Sequence, residues 1–466
     1  MSLLLLLGGA GPTVVDPPTS SFVFDDGAPG VSGNPRTRLN WYWDWDKTYF
    51  EPRHSPSSAA PTRVVYASPT GTGNGLTSGA PTSLARYLTE TGVTQTPGDQ
   101  VRLFAGTHDI NSGDEWSVQG TAANPIRFVR HLPTALAPKV VNTTSAGSSC
   151  WGFTDSYYVG IHGIDIDGES RNANIWGLTF GRRFDNDTGM IRCHHVDIWH
   201  TEVHHMEQTV TKMAGTQGAS QATNGAQGPS YNFHWFGCEL HHSGSAPASD
   251  RVYNELMYTG DGNTSGDWVD DVTVEASWLH DSPGGEAIDF KKANERGYLV
   301  GCRINTSRVH SQAAVTANDS IDMQISHVVV YDVDERTDPN FSIGESFNGN
   351  AFWLDDGDID HVLAFDIGAA FFDSRDVSRG SATLNLDNIT VWDMETRNNQ
   401  DGSIHGQTGN TFPAVTIASS CISDDGQGAS QNAAASDFVG PLDDTHDDFR
   451  GFALAGSSSL TGGAFG

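Results

Sequence analysis

His195-Val-Asp-Ile-Trp-His200, His327-Val-Val-Val-Tyr-Asp332, His361-Val-Leu-Ala-Phe-Asp366 and Asn388-Ile-Thr-Val-Trp-Asp393 share one short phrase. Each sets a polar residue, two small apolar residues one apart, an aromatic, and a second polar residue. Weaker copies begin at Gly163, Gly237, Ala276 and Gly301. Side chains alternate across a strand, so residues one apart point the same way. Ile164/Ile166, Val196/Ile198, Cys238/Leu240, Ser277/Leu279, Cys302/Ile304, Val328/Val330, Val362/Ala364 and Ile389/Val391 therefore read as inward pairs. The copies recur at offsets of about 25 to about 42 residues, inside the range of solenoids, propellers and arrays. A propeller would keep a steadier, longer period with several hairpin turns per blade. The shorter offsets suit one coil of three short strands, and the longer ones need only a loop at a corner. The phrase predicts a parallel β-solenoid in which like residues sit on like.

Composition agrees. Glycine supplies 52 of 466 residues and charged residues only 18%, which favours strands and turns over helices. The formal net charge of −31 weighs against nucleic acid and anionic membrane surfaces as partners. The five cysteines have no paired spacing; Cys238 and Cys302 fall in the inward column, and all five are expected to be free thiols.

The chain starts Met-Ser-Leu3-Leu4-Leu5-Leu6-Leu7-Gly-Gly-Ala-Gly. Five leucines are too few for a membrane span, which needs about 20 apolar residues. No basic n-region precedes them, as a secretion signal would require. Trp41, Trp43 and Trp45 alternate with polar or aromatic neighbours and would share one face of a strand. Leu3 to Leu7 and this tryptophan face are the expected docking elements of an adaptor over residues 1–61. The start resembles those of tail proteins of phages that infect marine bacteria.

A second resemblance is carried by Val64-Val-Tyr-Ala-Ser-Pro, then Leu84-Ala-Arg-Tyr-Leu88, Pro97-Gly-Asp-Gln-Val-Arg-Leu-Phe-Ala-Gly-Thr107 and Asn124-Pro-Ile-Arg-Phe-Val129. In order and spacing these resemble the opening coils of the pectate-lyase-like superfamily of right-handed parallel β-helices. Leu84 and Leu88, at i and i+4, give a short helix an apolar stripe that covers the open end of the stack. Asp447-Asp-Phe-Arg-Gly-Phe-Ala-Leu resembles the closing strand of such proteins. The expected architecture is all-β: adaptor 1–61, right-handed parallel β-helix 62–418 with a short capping helix, and last coil or tail 419–466.

Three groups of residues carry candidate chemistry. His280-Asp-Ser-Pro-Gly-Gly-Glu286-Ala-Ile-Asp289-Phe-Lys291-Lys292 is similar to a strand found in many members of that superfamily. The resemblance implies a Lys base beside a uronate carboxylate, with Ca²⁺ compatible as a cofactor; no clear Asp cluster for calcium accompanies it. His280, Glu286, Asp289, Lys291 and Lys292 are the catalytic candidates. Dense histidines, His194, His195, His200, His204, His205, His234, His241 and His242, would suit a metal. The recurrence of His195, His327 and His361 in one column instead points to stacking between coils, so no metal is assigned. Trp199, Tyr331, Phe365 and Trp392 form an outward aromatic column that, with Arg303, would bind sugar. Outward Val329 and Leu363 beside it fit a contact between chains.

The expected function is a phage tail fibre or tailspike, docked through its N-terminus to tail or baseplate proteins. It would be a homotrimer that recognises host surface polysaccharide, with or without cleaving it. Two alternatives remain: a free, secreted polysaccharide lyase or hydrolase acting on an acidic glycan, and a purely structural virion component.

Overall fold

The structure, a computed structural model, describes residues 59–464 apart from 112–114, 133–135, 145–147, 170–173, 182–192, 214–229, 244–254, 261–268, 283–284, 291–295, 306–312, 318–321, 334–348, 355, 369–370, 374–382, 395–413, 425–429, 440–441, 443–451, 453 and 456–457. Leu3 to Leu7, Trp41, Trp43, Trp45, Lys291 and Lys292 lie outside the described residues.

Each full coil has three short strands. One is Tyr157–His162, Asp165–Asp167 and Asn174–Phe180; the next is His194–Trp199, Glu202–Met206 and Thr209–Met213; then come Ser230–Phe236, Glu239–Ser243 and Met257–Thr259. Equivalent strands of successive coils pair in parallel, so the chain winds as a right-handed parallel β-helix with three ladders. Among the described residues the first two ladders join in one network of 21 strands, and the third has 8. They join because Met323–Val333, Gly357–Ile367 and Thr383–Met394 run through both. The apolar shaft they enclose is one buried cluster running from Val65 to Cys421.

The polar ends of the repeated phrase are its turns. Gly163, His200, Gly237, Ala276, Gly301, His327, His361 and Asn388 all have φ between 47° and 67°. They occupy one column, at the corner between the first and second ladders. A left-handed residue there turns the strand without interrupting the stack, at a steric cost for any residue with a Cβ. His205, His242, Asp281, Asp332 and Asp366 do the same at the far end of the second ladder, with φ from 52° to 56°.

This placement corrects the phase of one copy. Val203, Leu240, Leu279, Ile304, Val330, Ala364 and Val391 stand in register in the second ladder. Val196 and Ile198 belong to the first ladder, opposite Phe233 and Trp235. His195 therefore does not share the column of His327 and His361, whose rings stack at 4.7 Å; it stacks on Tyr158 at 4.4 Å. Val196, Val328, Val362 and Ile389 are all buried. Within the long connection 244–268, Met257–Thr259 is a strand of the third ladder.

The capping helix, Leu84–Leu88, starts at Ser83, whose hydroxyl accepts from the Arg86 N–H. Leu84, Tyr87 and Leu88 are buried in the shaft, and the Tyr87 ring meets Phe128 edge-on at 5.9 Å. The Tyr87 hydroxyl donates to Asp99 at 2.8 Å, and Asp99 also pairs with Arg63. All five cysteines are free and buried. No helix among the described residues is long and apolar enough to cross a membrane.

Candidate functional site

The outward faces of the ladders differ in chemistry, and the aromatic column expected to meet sugar is not open. Tyr331, Phe365 and Trp392 are in register on the second ladder, with Tyr331 and Phe365 stacked at 5.2 Å. The C-terminal segment lies on them: Phe452 packs on Phe365 at 4.8 Å and Phe438 on Trp392 at 5.4 Å. Val329, Leu363, Phe452 and Ala464 complete this second apolar cluster, and the Ala464 N–H donates to the Thr390 hydroxyl. The apolar residues outside the shaft are thus covered by the chain's own tail. Trp199 joins the same cluster from the first ladder, against Phe236 at 4.4 Å, and is buried. Arg303 is buried as well, its guanidinium 4.6 Å from the Trp278 ring and 5.0 Å from the Tyr331 ring. Its Nε–H donates to the Tyr331 hydroxyl at 2.6 Å. Trp199, Arg303, Tyr331 and Phe365 are thus buried and Trp392 partly so, and all five pack against the chain itself.

The same outward column continues toward the N-terminus as imidazoles. His204, His241 and His280 stack at 4.8 Å per rung, the spacing of neighbouring strands. Each ring reaches a carboxylate one coil below through Nε2: His204 to Asp165 at 2.8 Å, His241 to Glu202 and His280 to Glu239 at 3.0 Å. Burial alone would discharge His280, but hydrogen bonds to Asp281 and Glu239 outweigh it and raise its pKa. His204 is likewise raised: Asp165 overcomes burial. His241, between them, is pushed down to about 2 by burial and by His280. His280 thus sits in this ladder rather than with the other catalytic candidates.

Glu286 and Asp289 do come together, on the outward side of the third ladder. Glu255 joins them, and one carboxylate oxygen of each lies within 4.8 Å of the others. All three are buried, at 1%, 3% and 0% exposure for Glu255, Glu286 and Asp289. The register explains the meeting: Met257 pairs with Ile288, and the Leu256 N–H donates to the Glu286 carbonyl, so Glu255 stacks under Glu286. Asp289 returns to the same side three residues on. Like charges this close repel in a poorly solvated site unless a shared proton or a bound cation relieves them. An all-oxygen donor set suits a hard cation such as Ca²⁺.

Along the same face, Lys212, Tyr258, Asp289, Thr316 and Trp353 form one column. Lys212 Nζ lies 5.0 Å from the Trp176 ring centroid and 5.3 Å from that of Tyr258. Glu255, Lys212, Trp176 and Tyr258 escape a reading focused on the second ladder. Glu255-Leu-Met-Tyr and Glu286-Ala-Ile-Asp share the signal that would have found Glu255: an acidic residue, two core residues, then an outward polar one.

Neither a family model nor a curated protein matches the chain. Solved structures with a similar architecture include pectate lyase Pel9A, at 16% identity over 86% of this chain and 91% of that one, with a TM-score of 0.49. A GH136 lacto-N-biosidase from Eubacterium ramulus aligns at 11% identity over 76% of this chain and 68% of that one, TM-score 0.40. A rhamnogalacturonan lyase aligns at 12% identity over 87% of this chain and 100% of that one, TM-score 0.39. These are likenesses of architecture.

Proposed function

We propose that the chain binds a uronate-bearing polysaccharide along the outward face of the third ladder and cleaves it by cation-assisted elimination. The observation that carries this reading is the buried trio Glu255, Glu286 and Asp289 on the face that also holds Lys212 between Trp176 and Tyr258. The trio would hold Ca²⁺, which would neutralise the uronate carboxylate and acidify the adjacent C–H. A lysine takes that proton, and the glycosidic oxygen β to the new carbanion leaves, giving an unsaturated sugar. Lys212 is the described lysine on this face; Lys291 and Lys292, two and three residues past Asp289, are the ones that the sequence singles out. Trp176, Tyr258 and Trp353 offer ring faces to sugar. The trio is tighter than the roughly 6.5–9.5 Å that an inverting hydrolase leaves for water and nearer the roughly 5–5.5 Å of a retaining one, so its spacing argues against inverting hydrolysis alone.

The test is ultraviolet absorbance of unsaturated product on a panel of uronic-acid polymers. Product that requires Ca²⁺ and is lost in Asp289→Asn supports the reading; no product from any polymer overturns cleavage. From the leucine-rich start and the tryptophan cluster alone, we further propose that residues 1–61 dock this β-helix, as a trimer, onto a virion tail to recognise host polysaccharide. Mass spectrometry of purified virions and light scattering of the protein test that part: absence from virions, or a stable monomer, would contradict it.

A further inference from the structure

Asp167, His204 and His205 form a tripod at the N-terminal end of the imidazole ladder, separate from the buried carboxylate trio. Asp167 Oδ1 stands 3.8 Å from His204 Nδ1 and 3.8 Å from His205 Nδ1. The two Nδ1 atoms also face each other in close contact. The 3.8 Å separations are too long for hydrogen bonds. They lie a little beyond the roughly 3.3–3.6 Å edges of a tetrahedron around an ion with ligands at about 2.0–2.2 Å, the bond lengths of Zn²⁺ to nitrogen and carboxylate, and the two Nδ1 atoms, hydrogen-bonded to each other here, would part to admit the ion.

The proton on His204 supports the same geometry. Its Nε2 lies 2.8 Å from Asp165 Oδ1. A carboxylate accepts only, so Nε2 carries the hydrogen and a neutral ring turns its Nδ1 lone pair toward Asp167 and His205. A carboxylate behind a histidine is the usual outer partner of a metal-binding imidazole. Charge is available too: Asp165, Asp167 and Glu202 surround His204, and Lys139 is the ammonium that pairs with Asp167, at 2.5 Å through Oδ2. Asp167 Oδ1, which also accepts the Glu169 N–H at 2.7 Å, is the atom that faces the tripod. The side chains of Asp167 and His204 are 10% and 8% exposed, whereas that of His205 is 39% exposed, so the fourth position opens to solvent.

The rungs above also gather ligand atoms, Glu202 with His204 and His241 and then Glu239 with His241 and His280, but without a carboxylate beneath the facing Nδ1 pair. His241 and His242 repeat the facing Nδ1 pair, and His241 Nε2 repeats the carboxylate contact, to Glu202. One coil below His241, however, stands His204, where the coil below His204 offers Asp167. In the rung after that, Asp281 accepts from His280 Nδ1 at 2.8 Å and closes the ladder.

We infer that Asp167 Oδ1, His204 Nδ1 and His205 Nδ1 bind one divalent d-block cation of the Zn²⁺ class, with an open fourth position. Two imidazoles and one carboxylate select such ions over Ca²⁺. The probes are Zn²⁺ by titration calorimetry and Co²⁺ by visible absorbance, on metal-stripped full-length protein in excess Ca²⁺. The expected result is one Zn²⁺ per chain and a Co²⁺ spectrum with nitrogen ligands. His205→Asn keeps a residue suited to the left-handed turn and weakens Zn²⁺ by more than the roughly 10–100-fold that loss of an outer partner costs. Asp167→Asn weakens it as well, and His242→Asn leaves it unchanged. Circular dichroism of each variant reports that the coils remain. Failure to bind Zn²⁺ or Co²⁺, or equal Zn²⁺ affinity in His205→Asn and the parent, overturns the site whatever the outcome on polysaccharide.

Discussion

Gly237 shows how much one backbone angle decides. It turns the corner at φ 60°, and a Cβ there would meet His200 Nδ1 at 2.4 Å. Gly237→Ala is expected to cost about 1–3 kcal/mol. Ala276, one coil on, already bears the left-handed angle with a Cβ, so Ala276→Gly should be neutral or gain up to about 1 kcal/mol. Chemical denaturation midpoints check both, and the reverse order would contradict the turn assignment. The thiols make a second prediction at this scale. Burial pushes Cys193 and Cys238 up to about 12, so neither is a thiolate at neutral pH. Native protein should leave both unlabelled by a thiol reagent, and denaturant should release them.

At the scale of elements, the histidine ladder and the C-terminal strap behave differently from what their sequences suggest. His280 has a raised pKa in the folded chain, so its contribution to stability is complete below about pH 6.5 and is lost as pH rises through the folded value. His280→Gln should therefore cost more at pH 6 than at pH 9 by thermal unfolding; an equal cost at both would mean that no charge is held there. His241 works the other way. Held down at about 2, it stays neutral while the unfolded chain takes up a proton below about pH 6.5, which weakens the fold in acid. The strap is tested by Phe452→Ala. Phe452 is 1% exposed against Phe365, and losing a buried phenylalanine costs about 3–5 kcal/mol, here limited by local release of the tail. The expected sign is stronger binding of an apolar dye with little change in far-ultraviolet dichroism. Tyr331, Phe365 and Val329 were legible as apolar residues outside the shaft. That their cover is Phe452 and Ala464 was not, because periodicity within coils says nothing about where a tail returns. The phase of His195 was hidden for a related reason. A left-handed residue followed by alternating core residues describes the first ladder as well as the second, so the same letters spell two different corners.

For the whole molecule, the stack was readable because each coil obeys one local rule, and Val328, Val362 and Ile389 fall in register as that rule requires. The site was half readable. Glu286 and Asp289 lie in one segment, but Glu255 arrives from the coil below through a strand of only three residues, too short for a periodic signal. Global charge adds a constraint: a protein of net charge −31 repels a polyanion at long range. Binding of a uronate polymer should therefore strengthen when salt is raised from low ionic strength, and strengthen further with Ca²⁺. Weakening by salt in the absence of Ca²⁺ would point to a basic contact surface instead. The most direct measurement of the central claim is amide hydrogen exchange with and without a uronate oligosaccharide in Ca²⁺, using a variant slowed by Lys212→Met. Protection is predicted in Thr209–Met213, Met257–Thr259 and Ile288–Phe290. Protection confined to the first or second ladder would contradict the assignment of the third ladder as the working face.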